Sequence, residues 1–228
     1  MDIGKHPLVC KLLKAVYNKR PPMAKYKTFW DAESVLKKLN EMGLNAELTL
    51  KQLTLKTVLI LALASFARVS ELASIDYRRL HYENGELCFN LLKPRKTQTS
   101  GALASFKLKP LLTDPLICPV ETVRVYIERT EAIRAATANA LFIAIRPPHA
   151  SVGASSVARW LKLALKSAGV DIAVFAAHST RGAAASKAFT SGVPCDIILA
   201  AASWKRASTF HRFYNKRIGA GGETGREL

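Results

Sequence analysis

The chain has 228 residues, 49% of them hydrophobic, and a mean hydropathy of +0.08, which is enough apolar material for one sizeable core and excludes general disorder. With 34 Lys+Arg against 17 Asp+Glu, the formal charge is +17 and the isoelectric point lies near 10.0. That balance favours a polyanionic partner, because neutralising phosphates releases counterions from nucleic acid, although a ribosomal or membrane-surface protein would share it.

Cys10, Cys88, Cys118 and Cys195 are scattered, with no Cys-x-x-Cys pair and no histidine at zinc-ligand spacing. Four reduced thiols of an intracellular protein are expected, and no metal site. Asp2, Lys5 and His6 interrupt any apolar run at the start, so no signal peptide is expected. Residues 57–67, the most apolar stretch, are too few to span a bilayer, and a soluble protein is expected.

Residues 1–30 are basic, broken at Pro21-Pro22, and carry Tyr17, Tyr26, Phe29 and Trp30. Two readings stand for them: an arm whose cations lie on phosphates, or a connector whose aromatics cover the edge of a core. From Asp31, Val35, Leu36, Leu39 and Met42 recur at helical spacing, and Gly43 offers a stop. Residues 48–55 lead into a second, very apolar helix, expected to end around residues 67–72. A guanidinium at Arg68, after such a run, must be paired or face a ligand, because an unpaired buried charge is costly. Glu71 is the simplest partner.

Residues 77–112 change period. Asn84-Gly85 signals a tight hairpin turn. Leu87, Phe89 and Leu91 alternate with Cys88 and Asn90, and Phe106 and Leu108 alternate with Lys107 and Lys109. The basic tract Lys93-Pro94-Arg95-Lys96-Thr97 falls between them, so a small antiparallel sheet with a lysine-bearing turn is expected. Pro119 opens a helix with Val120, Val123 and Ile127 on one face. Residues 141–145 are a short apolar run. Ser155 or Ser156 is a candidate cap for a helix through Val157, Leu161 and Leu165 that Gly169 ends. Arg159, Lys162 and Lys166 form its basic flank, either solvated or laid along a nucleic-acid backbone.

In the stretch 178–214, His178 and Arg181 come three apart, with Ser179 and Thr180 as candidate caps between them. A helix N-terminus is a ready anion site, so this pair suits a phosphate. Gly192 closes the helix, and Pro194 and Asp196 open the next. Ser208 is a candidate cap for a last helix with Phe210, Phe213, Tyr214 and Arg217 at i, i+3, i+4 and i+7. On that spacing alone, Tyr214 is equally a core aromatic.

In chain order, Arg68 with Glu71, Lys96, His178-x-x-Arg181, Trp204 and Tyr214 resemble the catalytic set of the tyrosine recombinase (phage integrase) family, over roughly residues 32–217. Lys96 is followed by Thr97, as the hairpin lysine of that family often is. The stretches KHPLVCKLLK, KQLTLK, ICPVETV, AHSTR and STFHRFY look most like recombinases of eukaryotic mobile elements. Tyr214 follows Trp204 by ten residues, one more than in the best-known members, where Phe213 would sit.

The resemblance implies an α+β, mainly α, catalytic domain at 31–218 with a small antiparallel sheet. A basic arm at 1–30 would stand where a separate DNA-binding domain usually precedes it, and 219–228 would be a flexible tail. Arg68 and Arg181 would clamp the non-bridging oxygens of a phosphodiester, as guanidinium forks match that geometry. Tyr214 would be the nucleophile, conserving the bond energy as a 3′-phosphotyrosine. Lys96 would protonate the departing 5′-oxygen, with Lys93 as its competitor. His178 would move protons near neutrality, Trp204 would donate a hydrogen bond and pack the wall, and Glu71 would support the site. Lys93, Arg95, Arg159, Lys162, Lys205 and Arg206 are expected to contact DNA. No cofactor or metal is expected. The expected partner is double-stranded DNA, bound as a homotetramer that is a monomer without it, with no membrane, and in the nucleus if the source is eukaryotic. A relic that binds DNA without cutting it is the alternative.

Overall fold

The computed structural model describes residues 2–21, 23–96, 98–204 and 206–219. In chain order these form α1 (Pro7–Lys19), β1 (Thr28–Phe29), α2 (Ala32–Asn40), α3 (Leu50–Ser65), α4 (Val69–Leu72), β2 (His81–Glu83), β3 (Glu86–Asn90) and β4 (Ser105–Leu108). Then come α5 (Pro119–Glu131), α6 (Ala154–Ser167), α7 (Ser179–Thr190), α8 (Cys195–Ala202), α9 (Ala207–Phe213) and β5 (Arg217–Ile218).

The apolar run becomes α3, and α3 is the axis of the fold. Thr49 and Gln52 close its N-terminus reciprocally: Gln52 N donates to Thr49 Oγ1 at 3.3 Å and Thr49 N to Gln52 Oε1 at 3.0 Å. A helix apolar on all sides must be surrounded. Leu53, Val58, Leu59, Leu61 and Ala62 are fully buried, with α2, α5, α6 and α7 packed around them. Even Lys56 is fully buried, its ammonium donating to Gly43 O at 3.2 Å. No helix among the described residues is long and apolar enough to cross a membrane.

The apolar helix does not run on to residue 72. It stops at Ser65, Phe66 turns left-handed (φ 51°), and α4 starts separately after Arg68. Ser65 helps to hold the break, since its hydroxyl accepts from Ala67 N at 3.3 Å. Arg68 is thereby lifted out of a helical wall and becomes a helix cap.

The sheet forms as the alternation implies, in the order β2-β3-β4, antiparallel throughout. Asn84 (φ 51°) and Gly85 (φ 78°) make the two-residue turn, both in the left-handed region that such hairpins require. Phe89 pairs with Phe106 across β3 and β4, with ring centroids 4.9 Å apart. Cys88 is also buried, so the alternation on β3 is incomplete.

Several expected caps are not used. Gly153 precedes α6 without a side-chain bond, and Arg206, not Ser208, precedes α9. At α7 the hydroxyls are engaged elsewhere: Ser179 Oγ accepts from Trp30 Nε1 at 2.9 Å and Thr180 Oγ1 donates to Ala177 O at 2.9 Å. Glycines do end α6 and α7, with Gly169 at φ 85° and Gly192 at φ 84°. Pro194 sits one position earlier than expected, capping α8.

The first thirty residues differ in burial along their length. α1 has no buried residue, whereas Tyr26, Phe29 and Trp30 lie in the main core. β1 pairs in parallel with β5, Thr28 with Arg217 and Phe29 with Ile218, and Gly219 N donates to Phe29 O at 2.9 Å. The stretch before α2 and the stretch after α9 are thus stitched together beside α7. Residues 220–228 of the expected tail lie outside the described residues.

Candidate active site

Two structural units meet at the cluster. One is the α3–α4 break with the loop that joins β3 to β4. The other is α7 with the α8–α9 corner. From the first, Arg68 and Glu71 bind reciprocally: Arg68 Nη1 donates to Glu71 Oε1 at 2.7 Å and Arg68 N to Oε2 at 2.8 Å. Glu71 is 4% exposed, while the Arg68 side chain keeps 25% of its surface open.

Arg95 turns inward to the same carboxylate. Its Nε lies 3.7 Å from Glu71 Oε1, its side chain is 12% exposed, and its guanidinium stacks 4.5 Å from the Phe106 ring centroid. Burial lowers its pKa, with Glu71 opposing and Arg68 adding to that shift. Its neighbours Lys93 and Lys96 are exposed on the loop between β3 and β4. The sequence pointed to Arg95 only as a surface DNA contact. The one signal that could have marked it is residue type, an arginine among lysines.

From the second unit, Arg181 is 5% exposed on the first turn of α7. Its Nη2 donates to Ala202 O at the end of α8, and its guanidinium covers the Trp204 ring with 4.7 Å to the centroid. Burial, and then the charge of Arg68, bring its pKa down to about 10, against the pull of Tyr214 and Glu71. A guanidinium keeps its proton at neutral pH even so. Trp204 in turn stacks on Tyr214, centroids 4.3 Å apart and planes 24° apart. Tyr214 caps the end of α9, half-buried, and its carbonyl accepts from Ser186 of α7. Phe213, the competing position, instead lies beside its neighbour Arg212.

His178 stands at the N-cap of α7 with an exposed edge. Its Nε2 is 3.2 Å from Tyr26 Oη, which also accepts from Ala176 N at 3.2 Å. Burial of part of the ring, then Lys25, holds its pKa below the ordinary 6.5. The backing of this helix start by Tyr26 and Trp30 was not legible, because aromatics near a chain end carry no positional signature.

Arg68, Glu71, Arg181, Trp204 and Tyr214 therefore converge, and Arg95 joins them. His178 sits one turn away on the same helix. Arg159 and Lys162 are exposed on α6 and Arg206 is exposed ahead of α9, apart from this cluster's contacts; Lys205 lies outside the described residues. Arg68 and Arg95 both pair with Glu71, and Arg181 feels the charges of all three, which leaves a surplus of positive charge. Arg181 Nε and Arg95 Nε are buried without a hydrogen-bond partner. A surplus of guanidinium charge with unpartnered donors suits an anion with several oxygens. Away from it, the β2–β3 hairpin brings His81, Glu83 and Cys88 within 4.8 Å of one another, a proximity that sequence spacing did not suggest. Lys107 already pairs with Glu83 there at 2.7 Å.

The family model described as the phage integrase family matches residues 32–218. No curated protein matches the chain in sequence. Among solved structures, it is similar to the XerH site-specific recombinase bound to palindromic difH substrate (13% identity, TM-score 0.59, 80% of this chain and 48% of that one). It is also similar to the XerA recombinase (16%, TM-score 0.60, 91% and 69%). A third likeness is to a lambda integrase dimer bound to a COC′ core site (13%, TM-score 0.54, 93% and 72%). The chain spans about half the length of the XerH structure. The fold is that of a tyrosine recombinase catalytic domain, mainly helical with a small antiparallel sheet.

Proposed function

Because the chain belongs to the phage integrase family, we propose that it recombines DNA by cleaving and rejoining strands through a covalent tyrosine intermediate, without a metal. The observation that carries this reading is the stack of Arg181, Trp204 and Tyr214 beside the Arg68–Glu71 pair.

In the proposed reaction the Tyr214 oxygen attacks phosphorus in line, and the bond to the 5′-oxygen breaks. Tyr214 gives up its proton, the departing 5′-oxygen gains one, and the strand end is held as a 3′-phosphotyrosine. A 5′-hydroxyl reverses these steps and seals the strand, so no nucleotide energy source is needed. The phosphodiester carries one negative charge at rest and develops a second in the pentacoordinate transition state. Arg68 and Arg181 act on that increase, and fixed charges in a shielded site favour the transition state over the bound ground state. Exposed Lys96 is the proposed proton donor, with Lys93 as its neighbour on the loop. His178 is neutral at physiological pH on account of its lowered pKa, which fits it to exchange a proton near the tyrosine. Glu71 holds Arg68 in place, and Trp204 carries the planes of Arg181 and Tyr214 on its faces. Double-stranded DNA is the proposed partner, with a tetramer assembled on two sites.

The test needs no knowledge of the target sequence. Supercoiled plasmid is incubated with the protein in EDTA, quenched with detergent, and examined for relaxed DNA and a protein–DNA adduct. The parent should give an adduct that Tyr214→Phe abolishes, while both retain DNA in a gel shift. An equal adduct in both would remove Tyr214 as nucleophile. Retained DNA with no adduct in either would support a protein that binds without cutting.

A further inference from the structure

We infer that Arg95 is a third guanidinium of the phosphate site, a positioning residue that secures Glu71 together with Arg68 and adds its charge to the field around Arg181. This rests on reading the cluster as a phosphate site.

Four observations converge on it. Of the cations in the tract 93–96, Arg95 is the one drawn inward, while Lys93 and Lys96 stay exposed. Its Nε faces Glu71 Oε1, the oxygen that Arg68 already holds at 2.7 Å. One carboxylate cannot offset two guanidiniums, still less three with Arg181, and burying the remainder is costly without a further anion. The side chain is also held rigidly. Arg95 rests on Phe106, which stacks on Phe89 in the sheet, and Arg95 N donates to Gln98 Oε1 at 3.3 Å. Finally, Arg95 shares a cavity of about 360 Å³ with Ser203 and Trp204, joining the β3–β4 loop to the α8–α9 corner.

The chemistry follows from charge. As the proposed transition state gains its second negative charge, a fixed cation nearby stabilises it more than it stabilises bound substrate. A lysine would supply that charge, although without the planar fork that meets Glu71 and stacks on Phe106. A role limited to packing would need neither charge nor fork.

The experiment uses Arg95→Met, Arg95→Lys and, as a control for general loss of charge, Lys51→Met on the exposed start of α3. Thermal melting confirms folding, and Arg95→Gln replaces the methionine variant if that one unfolds. Inorganic phosphate alone is titrated and followed by ³¹P NMR. Arg95→Met should bind about tenfold more weakly, as expected when a fixed charge beside the site is lost, with Arg95→Lys falling between it and the parent. Lys51→Met should be unchanged. On supercoiled plasmid, adduct formation at saturating protein should slow about 100-fold in Arg95→Met, while gel-shift affinity changes far less.

Phosphate binding equal in the parent and Arg95→Met, or weakened as much by Lys51→Met, would overturn the inference. So would equal adduct rates in the parent and Arg95→Met, a result that leaves strand cleavage itself standing. A phosphate difference with no adduct from the parent would sink the cleavage reading and keep Arg95 at an anion site.

Discussion

Lys56 and Arg181 are both buried cations, and they answer burial differently. The Lys56 ammonium, on α3, has its pKa lowered by burial from 10.5 to about 8, with Asp114 pulling weakly the other way. The unfolded chain therefore binds more protons between about pH 8 and 10.5, and stability from this group rises with pH across that window. Below about pH 8 the penalty is fully present. Lys56→Met should therefore stabilise the protein at pH 7 by roughly 1–3 kcal/mol, the pKa difference less the lost bond to Gly43 O. The gain should fade towards pH 10.5, as urea denaturation at both pH values would read; an equal gain at both would refute the burial argument. Arg181 has no such escape, because its guanidinium stays charged at neutral pH even with its pKa near 10. The bond to Ala202 O and the face of Trp204 offset part of that burial, and an anion would offset more. The sequence marked Arg181 through its spacing from His178 but could not mark Lys56, whose burial depends on helices packing from every side.

At the scale of elements, the start of α7 is gripped by the segment before α2. Tyr26 meets His178, Trp30 bonds Ser179, and Phe29 packs against Gly182. A Cβ on Gly182 would enter the space of the Phe29 ring, which is itself 2% exposed and has nowhere to move. Gly182→Ala should cost about 1–3 kcal/mol by overpacking, as measured by thermal or chemical unfolding. Phe29→Leu, a smaller side chain in the same place, should recover part of that loss when combined with it. Additive losses in the double variant would mean that the two positions do not touch. The break at Phe66 is the other element-scale device. A left-handed phenylalanine costs on the order of 1–2 kcal/mol of backbone energy, and the geometry it secures is Arg68 turned onto Glu71.

For the molecule as a whole, the formal charge of +17 is a statement about partners more than about fold. Lys93, Lys96, Arg159, Lys162 and Arg206 are exposed cations available to the proposed duplex. If all five meet phosphates, log affinity should fall against log salt with a slope of about −4 to −5. Fluorescence anisotropy with a labelled random duplex between about 50 and 200 mM salt tests this, and a slope near zero would rule out backbone contacts as the source of binding. α1 exposes Leu8, Leu12, Leu13 and Val16, and its Tyr17 hydroxyl accepts from Arg212 of α9 at 3.2 Å.

Local signals were enough to read the helix from Asp31, the Asn84-Gly85 hairpin, the glycine stops and the charge, because each depends on neighbours in the chain. The ordered set of Arg68, His178, Arg181, Trp204 and Tyr214 was legible as a family pattern for the same reason: spacing survives in a sequence. Tertiary structure alone decided that the apolar helix breaks at Phe66, that Ser179 serves Trp30 instead of capping α7, and that Arg95 leaves the surface for Glu71. Each of those outcomes turns on which groups, distant in the chain, compete for one hydrogen bond or one buried carboxylate. That competition is settled only once the core has closed around α3.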